Sequence, residues 1–367
     1  MKITHILDTF GGGGKERRCL QLIQGLNKAG YNDIQIILIN KGIAYKELHE
    51  CNCRIIEIDR KGKGLGFIAT IKELKKHINS FSPDIVQVWG MMSAFFTNIA
   101  FPFHKFKFIA SYVADVMPPK FPSLPWLTNQ LCKMRCCGII GNSNAGIEAY
   151  CIPKRKAKLI YNGFNEKRYE TIANKDNKKE ELDITTKYIV AQIATFYPVK
   201  DWQCFIDSAK IVTSKRKDIT FLCVGTGPQW DFFNNQIEEN ERGFIKLTGR
   251  RNDIDEILQI CDLSVLCTNV NAKEGLSNTI MESMAFGAPV LATAGGGTPE
   301  IIDDNENGII IREQTPQRLA ELIESTIDDE ILRKKLSMNG KKTIKTKFEL
   351  ESKTKEYIEF YKGILVK

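Results

Sequence analysis

Residues 267–300 read CTNVNAKEGLSNTIMESMAFGAPVLATAGGGTPE and carry the clearest structural signal in the chain: a loop, a helix, a short strand and a glycine-rich turn in succession. Good helix formers with apolar residues at helical spacing predict a helix over 278–286. Ser277 is the expected N-cap and Gly287 the expected end of that helix, just before an apolar strand over 289–292. This succession indicates an α/β protein.

Two glutamates stand eight positions apart in this stretch, Glu274 in the loop and Glu282 inside the helix. The start of the helix presents the backbone N–H groups of five residues: Gly275, Leu276, Ser277, Asn278 and Thr279. With the helix dipole behind them, such groups favour a phosphate or diphosphate. Carboxylates beside that anion site can accept hydrogen bonds from sugar and ribose hydroxyls. The alternative for the bare pattern is an ordinary capped helix with two solvated carboxylates.

The opening of the chain predicts a second sheet. Residues 3–7 read as an apolar strand, 11–14 as a glycine turn and 15–28 as an amphipathic helix, which together make the first βα unit of a doubly wound sheet. GGGGKERR does not match GxGxxG, so the support for a dinucleotide site is weak. A length of 367 residues suits two domains.

At the two glutamates the chain resembles the retaining glycosyltransferases of family 4, the group 1 glycosyl transferases. EGLSNTIME, residues 274–282, matches the Glu-x7-Glu motif of that family, and MAFGAPVLAT and GGGTPEII follow at the matching distance. The resemblance spans nearly the whole chain and is strongest from 188 to 312. It implies the α/β GT-B fold, in which two Rossmann-like doubly wound domains face a central cleft and a C-terminal helix crosses back to the first domain.

The same resemblance implies the domain boundaries and their roles. Residues 1–165 would bind the acceptor and residues 166–347 the nucleotide sugar, while 348–367 would form the helix that packs back on the first domain. The polar stretch that follows Asn165, through Lys187, reads as the connection between the two domains.

The resemblance also implies which side chains act. Glu274 would hold the transferred sugar and Glu282 the ribose, and Glu274 and Lys200 are the candidate catalytic residues. Lys200 fits the family's lysine on the donor phosphates, whereas Thr195 stands where the family usually has an arginine.

The remaining predicted contacts lie in three other segments. Gly12 and Gly13 match a glycine-rich loop near the donor diphosphate, and Arg250 follows a turn at which the family receives the nucleotide base. Asp115 is the candidate contact to the sugar or acceptor, because Ala114 and Asp115 stand where many relatives have a histidine.

Charge is unevenly distributed along the chain. Residues 1–165 hold 23 Lys and Arg against 11 Asp and Glu, whereas the remainder holds 29 against 33. Aromatic and basic residues alternate in FPFHKFKF (101–108) and MPPKFPSLPW (117–126), a composition suited to an anionic membrane surface. No RNA-binding motif is present, so no nucleic acid is expected as a partner.

The sequence predicts a cytoplasmic location, peripheral on the inner face of the cell membrane. MKITHILDTF reaches Asp8 too early for a signal peptide, and no uncharged stretch is apolar enough to span a bilayer. The eleven cysteines have no zinc-site spacing and read as free, mostly buried thiols in a reducing compartment. Cys132, Cys136 and Cys137 are predicted to share one helix.

The expected function is retaining transfer of a sugar from a UDP-sugar or GDP-sugar to a glycan or lipid-linked acceptor, in cell-surface polysaccharide biosynthesis. No metal or cofactor is expected, since no DxD pair stands out. One alternative is a two-lobed nucleotide-sugar 2-epimerase, although the second half of the chain holds none of the four histidines. Another is a catalytically degenerate sugar-nucleotide-binding subunit, which the departures at Thr195 and Ala114 motivate.

Overall fold

The computed structural model describes residues 1–269 and 274–366, so residues 270–273 of the stretch quoted above lie outside the described part of the chain. The chain divides into two compact units. The first unit is Met1–Gly163 together with the segment from Glu349 onward, and the second is Phe164–Phe348. Both boundaries lie within two residues of those that the sequence suggested.

The first unit contains a parallel sheet of seven strands in the order β3-β2-β1-β4-β5-β6-β7. Its strands are β1 (Ile3–Leu7), β2 (Ile34–Leu38), β3 (Arg54–Glu57), β4 (Ile85–Val88), β5 (Lys107–Val113), β6 (Gly138–Gly141) and β7 (Ala157–Leu159). Its helices before the second unit are α1 (Gly14–Lys28), α2 (Phe67–Phe81), α3 (Met91–Ala100), α4 (Leu124–Arg135) and α5 (Asn144–Ala149). Every residue of β1, β2 and β4 is buried, as in a parallel sheet covered on both faces.

The second unit contains a parallel sheet of six strands in the order β10-β9-β8-β11-β12-β13. Its strands are β8 (Tyr188–Ile193), β9 (Ile219–Val224), β10 (Ile245–Gly249), β11 (Leu263–Leu266), β12 (Val290–Thr293) and β13 (Ile309–Ile311). Its helices are α6 (Lys175–Glu181), α7 (Trp202–Lys215), α8 (Trp230–Gln236), α9 (Ile254–Ile260), α10 (Asn278–Phe286), α11 (Thr298–Ile301), α12 (Pro316–Asp328) and α13 (Glu330–Lys347). Two doubly wound parallel sheets confirm the predicted fold class.

The strand order of each sheet reverses direction at one place. In the first unit this switch point lies between β1 and β4, and in the second between β8 and β11. Loops that leave the carboxyl ends of the two strands at a switch point diverge to opposite sides of the sheet and leave a crevice, which is where open α/β sheets bind ligands.

The last helix, α14 (Leu350–Val366), packs against α1 of the first unit. The phenol of Tyr357 accepts a hydrogen bond of 2.7 Å from the guanidinium of Arg18, and the buried hydroxyl of Tyr361 donates to the side-chain oxygen of Gln87 on β4. The C-terminal helix therefore completes the first unit, as predicted.

Two local expectations were wrong. The polar stretch after Asn165 is not a connection between the two units but part of the second unit, because it contains α6, which packs on α9. The predicted cysteine-bearing helix ends at Arg135, so it contains Cys132 but neither Cys136 nor Cys137. All eleven cysteines lie in the described ranges and are free thiols, seven of them buried.

Candidate functional site

Lys200 and Glu274 meet at the switch point of the second sheet. Lys200 lies in the loop that follows β8 and Glu274 in the loop that follows β11, and these strands are neighbours. The backbone joins the two loops, since Asp201 N–H donates to the Cys267 carbonyl at 3.1 Å and Asn269 N–H to the Val199 carbonyl at 2.9 Å. The ammonium of Lys200 donates to the carboxylate of Glu274. The structure thus brings together the two residues predicted to be catalytic.

The glycine-rich turn after β12 fixes the position of the Glu274 loop. Gly296 has φ of +55°, and a Cβ there would lie 1.9 Å from the Glu274 carbonyl oxygen. The neighbouring Gly297 donates its N–H to the same carbonyl at 2.9 Å. Only glycine permits this backbone approach, which explains the central glycine of the GGG turn.

Helix α10 begins at Asn278, four positions after Glu274, and spans the predicted residues. The hydroxyl of Ser277 accepts from the Ile280 N–H at 3.5 Å, and Gly287 ends the helix in the left-handed conformation with φ of +87°. The Thr279 hydroxyl donates to the Ile193 carbonyl at 3.3 Å, which ties the first turn of the helix to the end of β8. The predicted anion site consists of the backbone N–H groups of residues 275–279, which include Gly275, Leu276 and Asn278. It therefore lies at the same crevice as Lys200.

Glu282 forms a salt bridge with a residue that the sequence did not suggest. Its carboxylate accepts a hydrogen bond of 2.7 Å from Arg168, whose guanidinium also binds the carboxylate of Asp255. Burial opposes the charge on Arg168, but the two carboxylates more than offset it, and the pKa of Arg168 is raised above its ordinary value.

Arg250 lies exposed beside a pocket of about 600 Å³, lined also by Thr171 and the start of α9. The adjacent Arg251 is held by Asp253 through a hydrogen bond of 2.8 Å. Burial opposes the charge on Asp253, but hydrogen bonds from Arg251 and Lys178 more than offset it and lower the pKa of Asp253 to about 2. Arg250 is therefore the arginine of this pair that remains available to an anionic ligand.

Thr195, at the position where the family usually has arginine, is exposed in the loop after β8. Its carbonyl accepts from the indole of Trp202 at 3.1 Å, and Trp202 stacks on Phe196 with ring centroids 3.9 Å apart. The backbone of this loop is thus anchored on a rigid aromatic pair, while the Thr195 side chain faces solvent.

A second pocket, of about 350 Å³, lies in the first unit at the carboxyl ends of β1, β4 and β5. Asp115 lines it and accepts hydrogen bonds from the Tyr150 hydroxyl at 2.9 Å and from the Met117 N–H at 2.8 Å. Burial and the neighbouring Asp115 carboxylate raise the pKa of Tyr150. Trp89 also lines the pocket, and its indole donates to the buried His5 at 3.1 Å.

Gly12 and Gly13 belong to the first unit, in the exposed turn directly before the pocket residue Gly14. Gly13 caps α1, and a Cβ there would lie 2.6 Å from a carboxylate oxygen of Glu16. The predicted donor-binding residues are thus divided between the two units.

The sequence of both units matches models of known families. Residues 174–343 match the model described as glycosyl transferases group 1, and residues 13–135 match the one described as glycosyl transferase 4-like, together more than three quarters of the chain. The chain belongs to the group 1 glycosyltransferases.

Relatives of this group 1 glycosyltransferase include an uncharacterized glycosyltransferase of Methanocaldococcus jannaschii, 31% identical over 51% of this chain and 48% of the relative. The lipopolysaccharide core biosynthesis glycosyltransferase LpsE of Rhizobium meliloti is 24% identical over 98% of both chains. The chain spans about half the length of several curated relatives that it matches.

The crystal structure of Anabaena HepE in complex with UDP and glucose has a TM-score of 0.87 to this group 1 glycosyltransferase, at 20% identity over 98% of this chain and 99% of that one. This likeness shows that the fold is of the GT-B type. Within the described ranges, no helix is both long and apolar enough to cross a bilayer.

Sequence reasoning missed Arg168, Asp255 and Tyr150 at these sites. Arg168 lies in a short 3-10 turn within the stretch interpreted as a linker, where an arginine carries no motif. The available signal is Tyr169 inside that stretch together with Phe164 just before it, because aromatic residues are unusual in a solvated connection.

Proposed function

We propose that this protein is a retaining glycosyltransferase that moves a sugar from a nucleoside-diphosphate sugar, UDP-linked or GDP-linked, to a glycan or lipid-linked acceptor. The observation that carries the proposal is the Lys200–Glu274 pair beside the N-terminus of α10 at a sheet switch point. The crystal structure of HepE is a complex with UDP and glucose, and LpsE is a glycosyltransferase of lipopolysaccharide core biosynthesis. The HepE complex supports a UDP-linked donor, and LpsE supports a role in cell-surface polysaccharide biosynthesis.

In this mechanism the diphosphate lies at the start of α10, and Lys200 donates to it as the bond to the sugar breaks. The leaving group gains negative charge at that moment, so preorganised donors stabilise the transition state more than the bound substrate. Lys200 shares its charge with Glu274 before the donor binds, and the carboxylate is then available to accept hydrogen bonds from sugar hydroxyls. We propose that no metal ion is required for this step.

Retention of configuration follows if the acceptor approaches from the side of the leaving group. The departing phosphate then takes the acceptor proton, and no side chain has to act as a general base. We place the acceptor in the first unit, where the pocket with Asp115 and Tyr150 offers a carboxylate and a hydroxyl to sugar groups.

A lipid-linked acceptor would bring the first unit to the cytoplasmic face of a membrane, and exposed side chains of that unit favour this partner. Phe121 is 72% exposed, and Met117, Leu124 and Leu127 are exposed on the same short segment, next to the exposed Lys120. Apolar side chains beside lysines suit an anionic lipid surface, because the rings enter the interface while the ammonium groups meet phosphates.

Thermal denaturation with added nucleotides tests the proposal. UDP or GDP should raise the melting temperature with EDTA present, and NAD should not; a ligand at 100 times its Kd adds about 2.7 kcal/mol. Release of nucleoside diphosphate with acceptor present separates a transferase from a binding subunit, and NMR of the product sugar separates transfer with retention from 2-epimerisation. Stabilisation by NAD alone would contradict the proposed donor site.

A further inference from the structure

We propose that Arg168 is a positioning residue for the donor, which holds the carboxylate of Glu282 in the orientation that receives the ribose hydroxyls. The inference rests on the proposed function, because it assigns a ribose to Glu282. It concerns a residue outside the Glu-x7-Glu motif, contributed by the 3-10 turn Glu166–Glu170 that opens the second unit.

Arg168 joins two helices through one guanidinium. Its Nη1 donates to Glu282 of α10 at 2.7 Å, while its Nε donates to Asp255 of α9 at 3.0 Å and its Nη2 donates to the other oxygen of the same carboxylate. The side chains of all three residues are less than one fifth exposed. Such a fork-to-carboxylate bond fixes the plane of the guanidinium as well as its position.

Two aromatic rings hold the guanidinium in place. Its carbon lies 5.1 Å from the ring centroid of Phe164 and 5.7 Å from that of Phe286. Phe286 is four residues beyond Glu282 on α10, so both lie on the face of the helix that Arg168 covers. Cation–π contacts with these two rings therefore add to the ion pairs that hold Arg168.

Positioning of Glu282 affects the affinity for ribose in a specific way. A glutamate on a helix surface has several rotamers, and ordering it on binding reduces affinity. The bond to Arg168 orders Glu282 beforehand, and a carboxylate accepts up to about four hydrogen bonds, so it can hold Arg168 and ribose hydroxyls together. Asp255 in turn orders Arg168 and belongs to the wall of the pocket beside Arg250.

The test compares two nucleotides in each variant. Calorimetric titration gives the Kd of whichever of UDP or GDP binds the wild type, and the Kd of its 2′,3′-dideoxy analogue. The Kd of the dideoxy analogue divided by the Kd of the natural nucleotide measures the contribution of the ribose hydroxyls. We expect Glu282→Gln and Arg168→Gln each to lower this ratio by about 10- to 100-fold, and the double variant to lower it no further. The ratio for Arg168→Lys should lie between those of the wild type and Arg168→Gln, because one ammonium keeps the charge but cannot reproduce the planar fork.

Arg216→Ala is the matched control, since Arg216 also binds two carboxylates, those of Asp218 and Asp328, at the end of α7. It should leave the ratio unchanged.

An Arg168 variant that remains folded and weakens both nucleotides equally overturns the inference while the proposed function stands. If Arg168→Gln does not fold, the same ratio of Kd values measured in Arg168→Lys and Asp255→Asn tests the inference. A wild-type protein that binds neither UDP nor GDP contradicts the proposed function, and the inference falls with it.

Discussion

Lys200 and Glu274 form an ion pair although 74 positions separate them in the sequence. They meet because the loops after β8 and β11 leave neighbouring strands and are joined by backbone hydrogen bonds. The lysine side chain is 10% exposed and the glutamate side chain 28% exposed. A ligand therefore reaches the Glu274 carboxylate before it reaches the Lys200 ammonium. We propose that substrate binding at this pair replaces one set of charged hydrogen bonds by another.

Lys200→Ala should lower kcat by about a hundredfold while changing the Kd of the nucleoside diphosphate much less, because its ammonium acts on charge that grows in the transition state. Steady-state kinetics and calorimetry measure the two effects. Lys246→Ala is the control, since Lys246 is likewise ion-paired, to Asp183 at 2.8 Å, but lies on β10. An unchanged kcat in Lys200→Ala would show that Arg250 or the backbone N–H groups of α10, rather than Lys200, stabilise the charge on the leaving group.

Glu274→Gln should keep nucleoside diphosphate affinity close to that of the wild type and reduce sugar transfer severely, because we assign this carboxylate to the sugar. The control variant is Glu241→Gln, whose carboxylate pairs with Lys210 at 3.2 Å away from the site. A larger loss of nucleotide affinity in Glu274→Gln than in Glu282→Gln would reverse the assignment of the two glutamates.

Gly296→Ala should displace the Glu274 loop, since the new Cβ cannot stay 1.9 Å from a carbonyl oxygen and φ of +55° is unfavourable for alanine. We expect a loss of about 1 to 3 kcal/mol in the free energy of unfolding, together with reduced turnover. Gly243→Ala is the control, because no atom lies within 4 Å of a Cβ built there. Equal stability of the two variants in urea denaturation would show that the loop adapts without cost.

The salt bridge at Asp253 predicts a pH dependence of stability. Its pKa of about 2 lies below the value of about 3.9 in an unfolded chain, so it stabilises the fold above pH 4 and this contribution is lost as the pH falls towards 2. Asp253→Asn should therefore be less stable than the wild type at pH 7, with a difference that narrows below pH 4. Asp231→Asn, an exposed carboxylate on α8, should show no such trend. A difference that stays constant with pH would contradict the charge-based account.

Membrane docking of the first unit predicts co-sedimentation with anionic vesicles at low salt and release at high salt. Changing Lys105, Lys107 and Lys120 to Glu should weaken it, by about 1 kcal/mol for each positive charge removed near the surface. The control changes three exposed lysines of α2 to Glu: Lys72, Lys75 and Lys76. Phe121→Ser with Leu124→Ser should also reduce binding. Equal binding to neutral and anionic vesicles, or none to either, would favour a soluble acceptor.

Local signals determined how much of this architecture the sequence could predict. Both ends of helix α10 were predicted correctly, because the residues that begin and end it, Ser277 and Gly287, are next to it in the sequence. Arg168 could not be placed, since its partners lie 87 and 114 positions away and depend on how α9 and α10 pack. The Asp115–Tyr150 bond, 35 positions apart, was missed for the same reason.

The placement of α14 has a consequence for synthesis of the chain on the ribosome. The second unit is continuous in sequence, and its ends touch, since the Phe164 N–H donates to the Phe348 carbonyl at 2.7 Å. The first unit lacks Tyr357 and Tyr361, which cover Arg18 and Gln87, until the final helix has been translated. Domains usually mature in the order in which they emerge, but here the later one can finish first. A chain that ends at Phe348 and has been released from the ribosome should thus carry a protease-resistant second unit after a first unit that is still open to cleavage.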